Sequence, residues 1–215
     1  MSEFRKDPVT GRWVIIASER EKRPGHFGAR NRSARPGPCP FCAGNEAMTP
    51  PEVWAQREGH TRPNTPGWRV RVVPNKYPAL ASRGRWSGRN NGLYESWQGL
   101  GVHEVIIESP NHVVNIGALS AAHFADILRA YRDRMSDLER DTRWGYVLLY
   151  KNQGEHAGAT LKHIHSQLVA LPTVPKEAVD ELSGAKRHYE STGRCIYCEI
   201  IETEFYSGER LVATS

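Results

Sequence analysis

The stretch of sequence that anchors both fold and chemistry is residues 163–167, HIHSQ, which runs into the apolar segment 168–171, LVAL. A neutral imidazole is both a good metal ligand and a competent nucleophile towards phosphorus. The approach to this stretch, residues 154–158 (GEHAG), is rich in glycine, as is typical of a loop that lies close to a ligand. We expect the two rings to be turned to opposite faces, one towards a buried structural site and the other towards a ligand.

The composition is that of a globular chain with a core. Of 215 residues, 39% are hydrophobic and 25% are charged. No run of about 18 apolar residues is present and no secretory segment opens the chain, so we expect a cytoplasmic protein without a membrane span. The net charge of +5 is compatible with nucleic acid and equally with a phosphorylated small molecule. The arginines are scattered singly, which is typical of a solvated surface.

Four cysteines form two CxxC pairs, Cys39/Cys42 and Cys195/Cys198. In a reducing compartment such pairs indicate metal half-sites more than disulfides. The first pair is flanked by Pro and Gly in a loop, whereas a redox pair is expected at the start of a helix. A structural zinc site needs four nitrogen or sulfur ligands. By spacing alone, the other two could come from His103, His112, His156 or His163.

Hydrophobic periodicity predicts several strands and one long helix. Ser120 caps the helix, whose apolar stripe packs into the core; its members are Phe124, Ile127, Leu128, Tyr131, Met135 and Leu138. A second helix is predicted over residues 176–189. The predicted strands cover residues 12–17, 70–73, 102–108, 146–151 and 166–171.

Two segments are predicted to be loops, namely residues 25–51, rich in Pro, Gly and Arg, and the polar stretch 82–99, which we expect to be mobile. Strands and a long helix follow one another without regular βαβ alternation. This order predicts an α+β fold with a mainly antiparallel sheet.

The second histidine of the pair, His165, is suited to in-line attack on phosphorus, giving a covalent phospho-histidine-type intermediate. Such a step needs cationic or hydrogen-bonding groups around the non-bridging phosphate oxygens. The candidates are Gln167, Thr160, the backbone around Gly158, and Arg20 or Arg23.

Six motifs occur in order along the chain: residues 5–14 (RKDPVTGRWV), 18–24 (SEREKRP), 39–45 (CPFCAGN), 74–80 (PNKYPAL), 109–112 (SPNH) and 163–167. Together they resemble the N-terminal part of the galactose-1-phosphate uridylyltransferases, a family of the histidine-triad superfamily. In that family they are an opening strand, a basic phosphate-contacting segment, a metal knuckle, a nucleoside-binding segment and the two histidine motifs.

The resemblance implies a histidine-triad-like antiparallel sheet with a long packing helix, and ping-pong transfer between a nucleotide sugar and a hexose 1-phosphate. His165 would be the nucleophile and Gln167 would hydrogen-bond the transferred phosphoryl group. A homodimer is implied as well. The structural zinc ligands would be Cys39, Cys42, His112 and His163. The nucleotide and phosphate contacts would be Asn75, Lys76, Tyr77, Asn152, Gly158, Thr160, Arg20 and Arg23.

Several residues depart from the uridylyltransferase pattern. Ile164 and Ser166 stand where that family usually has Pro and Gly, and Lys76 replaces a common acidic residue. Ser166 and the pair Cys195/Cys198 are more similar to the ADP-glucose phosphorylase-like adenylyltransferases. In that branch the second CxxC is half of a second zinc site. Glu181 is a weaker candidate for a second metal, zinc or iron.

The family contains two histidine-triad-like halves. By this resemblance, residues 1–190 form the first half and residues 191–215 the start of an incomplete second half, with 208–215 as its opening strand. We expect this stretch alone to be poorly active or prone to aggregate, because an unpaired sheet edge would be exposed.

Two other functions are compatible with parts of the sequence. A zinc-dependent nucleic-acid-binding module fits the positive charge and the CxxC pairs, but the chain lacks regular aromatic–basic interleaving. A dinucleoside-polyphosphate hydrolase of the same superfamily would carry a third histidine where this chain has Gln167. Glutamine can neither protonate a leaving group nor activate water as a general base, so it favours transfer over hydrolysis. Uridylyl transfer is the first choice, with adenylyl transfer as the alternative.

Overall fold

The computed structural model describes residues 2–22, 37–154 and 156–214. The chain divides into two compact units, Met1–Thr173 and Val174–Ser215. Arg23, which the sequence places among the phosphate contacts, lies outside the described residues. In the part of the chain that is described, no helix has both the length and the apolar character to cross a membrane.

The first unit is built from two antiparallel sheets. The smaller has the order β2-β1-β6-β5 and the larger the order β3-β4-β7-β9-β8. The strands of the smaller sheet are β1 (Glu3–Lys6), β2 (Trp13–Ile16), β5 (Gly88–Asn91) and β6 (Tyr94–Gln98). Those of the larger are β3 (Trp54–Arg57), β4 (Trp68–Pro74), β7 (Val102–Ile107), β8 (Tyr146–Tyr150) and β9 (His165–Leu171).

A single long helix, α1 (Ala121–Glu139), covers one face of the five-stranded sheet. Ile127 and Ala130 of α1 pack there against Val72, Ile106 and Leu168, all of them fully buried. This arrangement confirms the predicted α+β class with antiparallel sheets and one long packing helix. The other face is covered by the smaller sheet and by the first CxxC loop.

The buried stripe of α1 differs from the predicted one. Phe124 and Leu128 are 41% and 49% exposed, so the prediction that the whole stripe is core was wrong for these two residues. The helix instead buries Asp126 and Arg134. Arg134 makes a two-pronged ion pair with the buried Glu104 of β7, with nitrogen–oxygen distances of 2.7 and 2.8 Å. The buried face of the helix therefore contains an ion pair beside its apolar side chains, which hydrophobic periodicity alone does not predict.

The prediction of a mobile loop over residues 82–99 was wrong. Strands β5 and β6 form a hairpin there, joined by a two-residue turn at Gly92 and Leu93, and Gly92 has a left-handed φ of 69°. Glycine at the first position of a two-residue turn favours such a hairpin. β6 also pairs with β1, and Trp97 stacks on Trp86 with 4.9 Å between ring centroids. These contacts come from distant segments and outweigh the polar composition.

The second unit consists of two helices, α2 (Lys176–Thr192) and α3 (Ile196–Ser207). The first was predicted over 176–189, whereas α3 was missed. Residues 208–214 form no strand, contrary to the expectation, because a strand needs a hydrogen-bonded neighbour and none of the described residues pairs with them. The structure groups α2 with α3, while the assignment of residues 191–215 to a second half stays a prediction.

The helix cap provides a test of the fold. The Ser120 Oγ accepts the backbone N–H of His123 at 3.2 Å, as predicted. Replacing Ser120 by Ala is expected to lower the free energy of unfolding by about 1 kcal/mol, because a backbone donor loses its partner. The measurement is urea denaturation. The matched control is Ser136→Ala at an exposed position of the same helix, where alanine is expected to be neutral or slightly stabilising. Equal effects of the two substitutions would contradict the assigned cap.

Candidate active site and metal centre

The first CxxC pair lies in a tight loop that packs on the five-stranded sheet. The backbone N–H of Cys42 donates to the Cys39 carbonyl oxygen at 3.3 Å, and the Asn45 side-chain amide donates to the same oxygen at 2.8 Å. Phe41, between the two cysteines, is buried against Val105 and Ile107 of β7. The loop therefore directs both thiols towards the start of β9.

Four side chains converge at this point. One ligand atom from each of Cys39, Cys42, His112 and His163 lies within 4.8 Å of the others. The Nδ1 atom of His163 is 3.6 Å from the Cys39 Sγ and 3.7 Å from the Cys42 Sγ. The Nδ1 atom of His112 is 3.5 Å from the Cys42 Sγ. This Cys₂His₂ group, drawn from three distant segments, could hold a metal ion.

The protonation state of His163 suits a ligand. Its Nε2 lies 2.9 Å from the carbonyl oxygen of Ser109, which can only accept, so Nε2 carries the proton and Nδ1 presents its lone pair to the thiols. Burial is the main factor that lowers the pKa of His163 to about 4. The ring is therefore neutral in the folded chain. Its contribution to stability is present above pH 6.5 and is lost as the pH falls towards 4.

The thiol of Cys42, unlike the ring of His163, is not in its metal-binding protonation state without a nearby cation. Burial, followed by the charge and hydrogen bond of Cys39, raises the pKa of Cys42 to about 11. Two neighbouring thiolates are therefore unfavourable unless a cation lies between them. A bound metal ion supplies that charge, and it deprotonates the thiols that ligate it. The donor set thus fits a thiophilic cation.

His165 is the first residue of β9 and is 8% exposed. Its Nδ1 donates to the carbonyl oxygen of His163 at 2.8 Å, because a carbonyl can only accept. The neutral ring consequently carries its lone pair on Nε2. An imidazole in this tautomer can attack phosphorus through Nε2 without first losing a proton.

The expectation that the two histidine rings face opposite sides was wrong. Both contact Phe41, with ring centroids 5.9 Å apart for His163 and 5.3 Å for His165. Residues two apart in an extended chain share a face. The two histidines differ in their position along the chain, since His163 precedes the strand and His165 begins it.

Gln167, two residues further along β9, lies on the same face as His165. Its Oε1 is surrounded by hydrogen-bond donors. The Nε2 of His103 is at 3.0 Å, the hydroxyl of Tyr150 at 3.2 Å and the Nδ2 of Asn75 at 3.5 Å. The amide oxygen is thus held inside the protein.

A buried polar cluster lies on the opposite face of the sheet, beneath His165. The carboxylate of Glu108, which is fully buried, accepts the Ser166 hydroxyl at 2.5 Å and also the hydroxyl of Tyr131. It forms an ion pair with Lys151, whose Nζ donates to the His165 carbonyl oxygen at 3.1 Å. Burial and the neighbouring Glu108 charge raise the pKa of Tyr131. This cluster ties the backbone of His165 to α1 and β8.

A cavity of about 490 Å³ opens beside the residues that hold Gln167. His103 and Tyr150 line it together with Arg20, which follows β2. The Nε atom of Arg20 is buried and has no hydrogen-bond partner within the described part of the chain. Apolar side chains form the remaining walls, namely Ile15, Ala17, Ala79 and Val169.

The other residues predicted to contact the nucleotide fall into two groups. Asn75, Lys76 and Tyr77 follow β4 directly, and the Asn75 Oδ1 accepts the Tyr77 N–H at 2.9 Å. Asn75 therefore joins the Gln167 cluster, while Lys76 is exposed and points its Nζ at the Met48 carbonyl oxygen, 3.5 Å away. Asn152, Gly158 and Thr160 lie on the segment between β8 and β9, where Gly158 is exposed with a φ of 79°.

The second CxxC pair is placed differently from the first. Cys195 and Cys198 are exposed at the start of α3, in the second unit. Backbone N–H groups of Cys198 and Tyr197 lower the pKa of Cys195. Glu181 of α2 accepts the Tyr197 hydroxyl at 2.9 Å, so the Glu181 carboxylate lies near the start of α3. Within the ranges that are described, these residues do not form a group of three or more metal ligands.

Sequence reasoning missed four residues that shape the site: His103, Tyr150, Phe41 and Ser109. Spacing along the chain suggests His103 only as a metal ligand. Alternation along β7 and β8 could have placed His103 and Tyr150 on the same face as Gln167 once the strand pairing was known, but the pairing itself is a tertiary property.

A sequence model described as galactose-1-phosphate uridyl transferase, N-terminal domain, matches residues 1–175. The chain belongs to this family. A relative from Arabidopsis thaliana named ADP-glucose phosphorylase is 37% identical over 212 residues, covering 96% of this chain and 59% of the relative. The galactose-1-phosphate uridylyltransferase of Thermotoga maritima is 25% identical over 207 residues, covering 95% and 57%.

Solved structures of similar proteins share the fold. A uridylyltransferase mutant superposes with a TM-score of 0.76 at 28% identity, covering 99% of this chain and 58% of the other. An ADP-glucose phosphorylase from Arabidopsis thaliana with bound ADP-glucose gives 0.64 at 36% identity, covering 94% and 59%. The chain thus spans less than three fifths of the length of these relatives.

Proposed function

We propose that this chain carries out nucleotidyl transfer through a nucleotidyl-histidine at His165, as a hexose-1-phosphate (galactose-1-phosphate) uridylyltransferase. The observation that carries the proposal is the pairing of His165 with Gln167. The ring of His165 has its Nδ1 proton engaged by the His163 carbonyl, and the neighbouring Gln167 has its oxygen held by internal donors. A nucleophile and a phosphate-oxygen donor therefore share one face of β9.

Nucleotidyl transfer would proceed in two steps, first to His165 and then from it. The Nε2 of His165 attacks the α-phosphorus of a nucleotide sugar, and the bond from that phosphorus to the bridging oxygen breaks, releasing hexose 1-phosphate. A phosphate oxygen of a second hexose 1-phosphate then attacks the same phosphorus, and the phosphorus–nitrogen bond breaks to regenerate His165. Gln167 donates to a non-bridging oxygen whose charge grows in each transition state.

Arg20 is suited to bind the phosphate of the leaving or entering hexose 1-phosphate. Its buried Nε has no hydrogen-bond partner among the described residues and is a charged donor beside the cavity. A phosphate oxygen would satisfy it with a charge-assisted hydrogen bond. We assign Arg23, Asn75, Lys76, Tyr77, Asn152, Gly158 and Thr160 to the remaining nucleotide and phosphate contacts.

We propose zinc as the metal at Cys39, Cys42, His112 and His163. Two thiolates and two imidazoles are the usual donors of a structural zinc ion, and four protein ligands leave no open coordination position. When bound, the ion supplies the positive charge that the two thiolates require. His163 then holds its carbonyl oxygen against the Nδ1 proton of His165. Cys195, Cys198 and the weaker candidate Glu181 would belong to a second site for zinc or iron.

Adenylyl transfer is a second candidate, and three findings favour it. Ser166, where the uridylyltransferase pattern has Gly, places its hydroxyl on the buried Glu108 carboxylate. The relative that is 37% identical is named ADP-glucose phosphorylase, and a similar solved structure holds ADP-glucose. Either chemistry fits a cytoplasmic homodimer that binds neither nucleic acid nor membrane.

Intact-protein mass spectrometry after incubation with UDP-glucose, and separately with ADP-glucose, tests the proposal. We expect a mass increase equal to one uridylyl group, localised to His165 by peptide mapping. An adenylyl adduct instead would move the protein to the adenylyltransferase branch. Absence of an adduct with either donor would contradict the covalent mechanism.

A further inference from the structure

His103 is a buried residue for which the mechanism above has no role. It lies on β7, is 4% exposed, and pairs across the sheet with Val169 of β9. Burying a histidine carries a desolvation penalty that is offset only when its ring nitrogens are hydrogen-bonded. Both ring nitrogens of His103 have defined neighbours, so its tautomer can be derived.

The backbone N–H of Ala79 donates to the Nδ1 of His103 at 3.0 Å. Since Nδ1 accepts, the proton of the neutral ring is on Nε2. That atom is 3.0 Å from the Oε1 of Gln167 and also 3.0 Å from the Nδ2 of Asn75. The Asn75 Oδ1 accepts the Tyr77 N–H, which fixes the orientation of the Asn75 amide. The atom that faces His103 is therefore the Asn75 Nδ2, which can only donate. The acceptor for the Nε2 proton is therefore Gln167.

The donors around Gln167 determine which way its amide points. His103, Tyr150 and Asn75 all present N–H or O–H groups to one end of that side chain. If the amide were turned by 180°, its NH₂ group would face these donors and leave them without an acceptor, which is costly in a buried site. The oxygen is thus held inwards and the NH₂ group is turned outwards.

We propose that His103 is a positioning residue for nucleotidyl transfer: its Nε2–H holds the oxygen of Gln167 so that the Gln167 NH₂ donates to the phosphoryl group carried by His165. This role rests on the proposed function. A donor that is already oriented stabilises the developing oxyanion without reorganising during the reaction. Tyr150 supports the same oxygen from β8.

A double-mutant cycle tests the coupling. His103→Phe keeps a planar ring and removes the donor, while His103→Gln returns an N–H near the same position. We expect Gln167→Ala to slow formation of the nucleotidyl-histidine by about 10²-fold and His103→Phe by about 10-fold, mainly in the rate constant and less in KM. In the Gln167→Ala background, His103→Phe should slow formation of the nucleotidyl-histidine by a further factor of less than about 2, because its effect passes through Gln167. His103→Gln should recover part of the rate.

The control is His123→Phe. The Nε2 of His123 donates to the Glu108 carbonyl oxygen at 2.6 Å, on the α1 side of the sheet. This variant loses a comparable hydrogen bond without touching Gln167, and we expect a lower melting temperature with an unchanged transfer rate. Equal losses from His103→Phe in both backgrounds would overturn the proposal. Absence of an adduct in the unsubstituted chain would overturn the proposed function along with it.

A readout that does not depend on turnover is the ¹⁵N NMR spectrum of the histidine rings. We expect His103 to be the Nε2–H tautomer, with a ring proton that exchanges faster in Gln167→Ala because its acceptor is gone. An Nδ1–H tautomer, or a ring proton unaffected by Gln167→Ala, would overturn the assignment whether or not the chain transfers nucleotides.

Discussion

Replacing His165 by alanine is expected to abolish the nucleotidyl-protein adduct and to reduce transfer by about 10⁴-fold or more. The reason is that no other group can form the bond to phosphorus from the same place. The fold should be retained, because a smaller side chain at this position leaves the metal ligands and the β7–β9 ladder in place. The measurement is single-turnover transfer with UDP-glucose, followed by intact-mass analysis. His165→Gly should behave in the same way.

A matched control is His60→Ala, which removes an exposed imidazole outside the site. We expect normal adduct formation and normal rate from this variant. Persistence of a stoichiometric adduct in His165→Ala would place the nucleophile elsewhere. A large fall in the melting temperature of His165→Ala, together with the loss of transfer, would show instead that His165 supports the fold.

The second large effect is expected at the metal centre. Chelation of the metal, or replacement of Cys42 by Ser, should lower the free energy of unfolding by roughly 3–5 kcal/mol, which corresponds to a fall in melting temperature on the order of 10 °C. The cause is that the four ligands join the CxxC loop, the segment after β7 and the start of β9, in addition to the packing of Phe41 and the hydrogen bonds between these segments. Transfer should fall in parallel, since the His163 carbonyl orients His165.

The control is His60→Ala, which removes an exposed imidazole outside both proposed metal sites and should leave the metal content and the melting temperature unchanged. Elemental analysis should find one zinc ion fewer in Cys42→Ser, and titration of zinc into the chelated protein should release protons as the thiols ionise. The absence of metal in the purified protein, combined with unchanged melting on chelation, would contradict the structural zinc site.

Much of the fold follows from local patterns. The long helix after Ser120 and the strands at residues 13–16, 68–74, 102–107 and 146–150 agree with the prediction, because periodicity and capping are properties of neighbouring residues. Local periodicity does not predict the β5–β6 hairpin, since its residues are polar and β6 is held by pairing with the distant strand β1. The exposed Phe124 likewise reflects partners that lie far away in sequence.

The sequence by itself determined which chemical groups are available: two CxxC pairs, the HIHSQ stretch and a basic N-terminal segment, whose order along the chain identifies the family. Spacing alone fitted His103 and His112 equally and only the family resemblance favoured His112 and His163, whereas the tertiary structure brings these two histidines to the Cys39/Cys42 group. Sheet pairing carries His103 to Gln167, whereas the turn after β7 carries His112 to the thiols. The physical reason is that ligand sets and hydrogen-bond networks are formed by contacts between distant segments, which strand register fixes and local sequence does not encode.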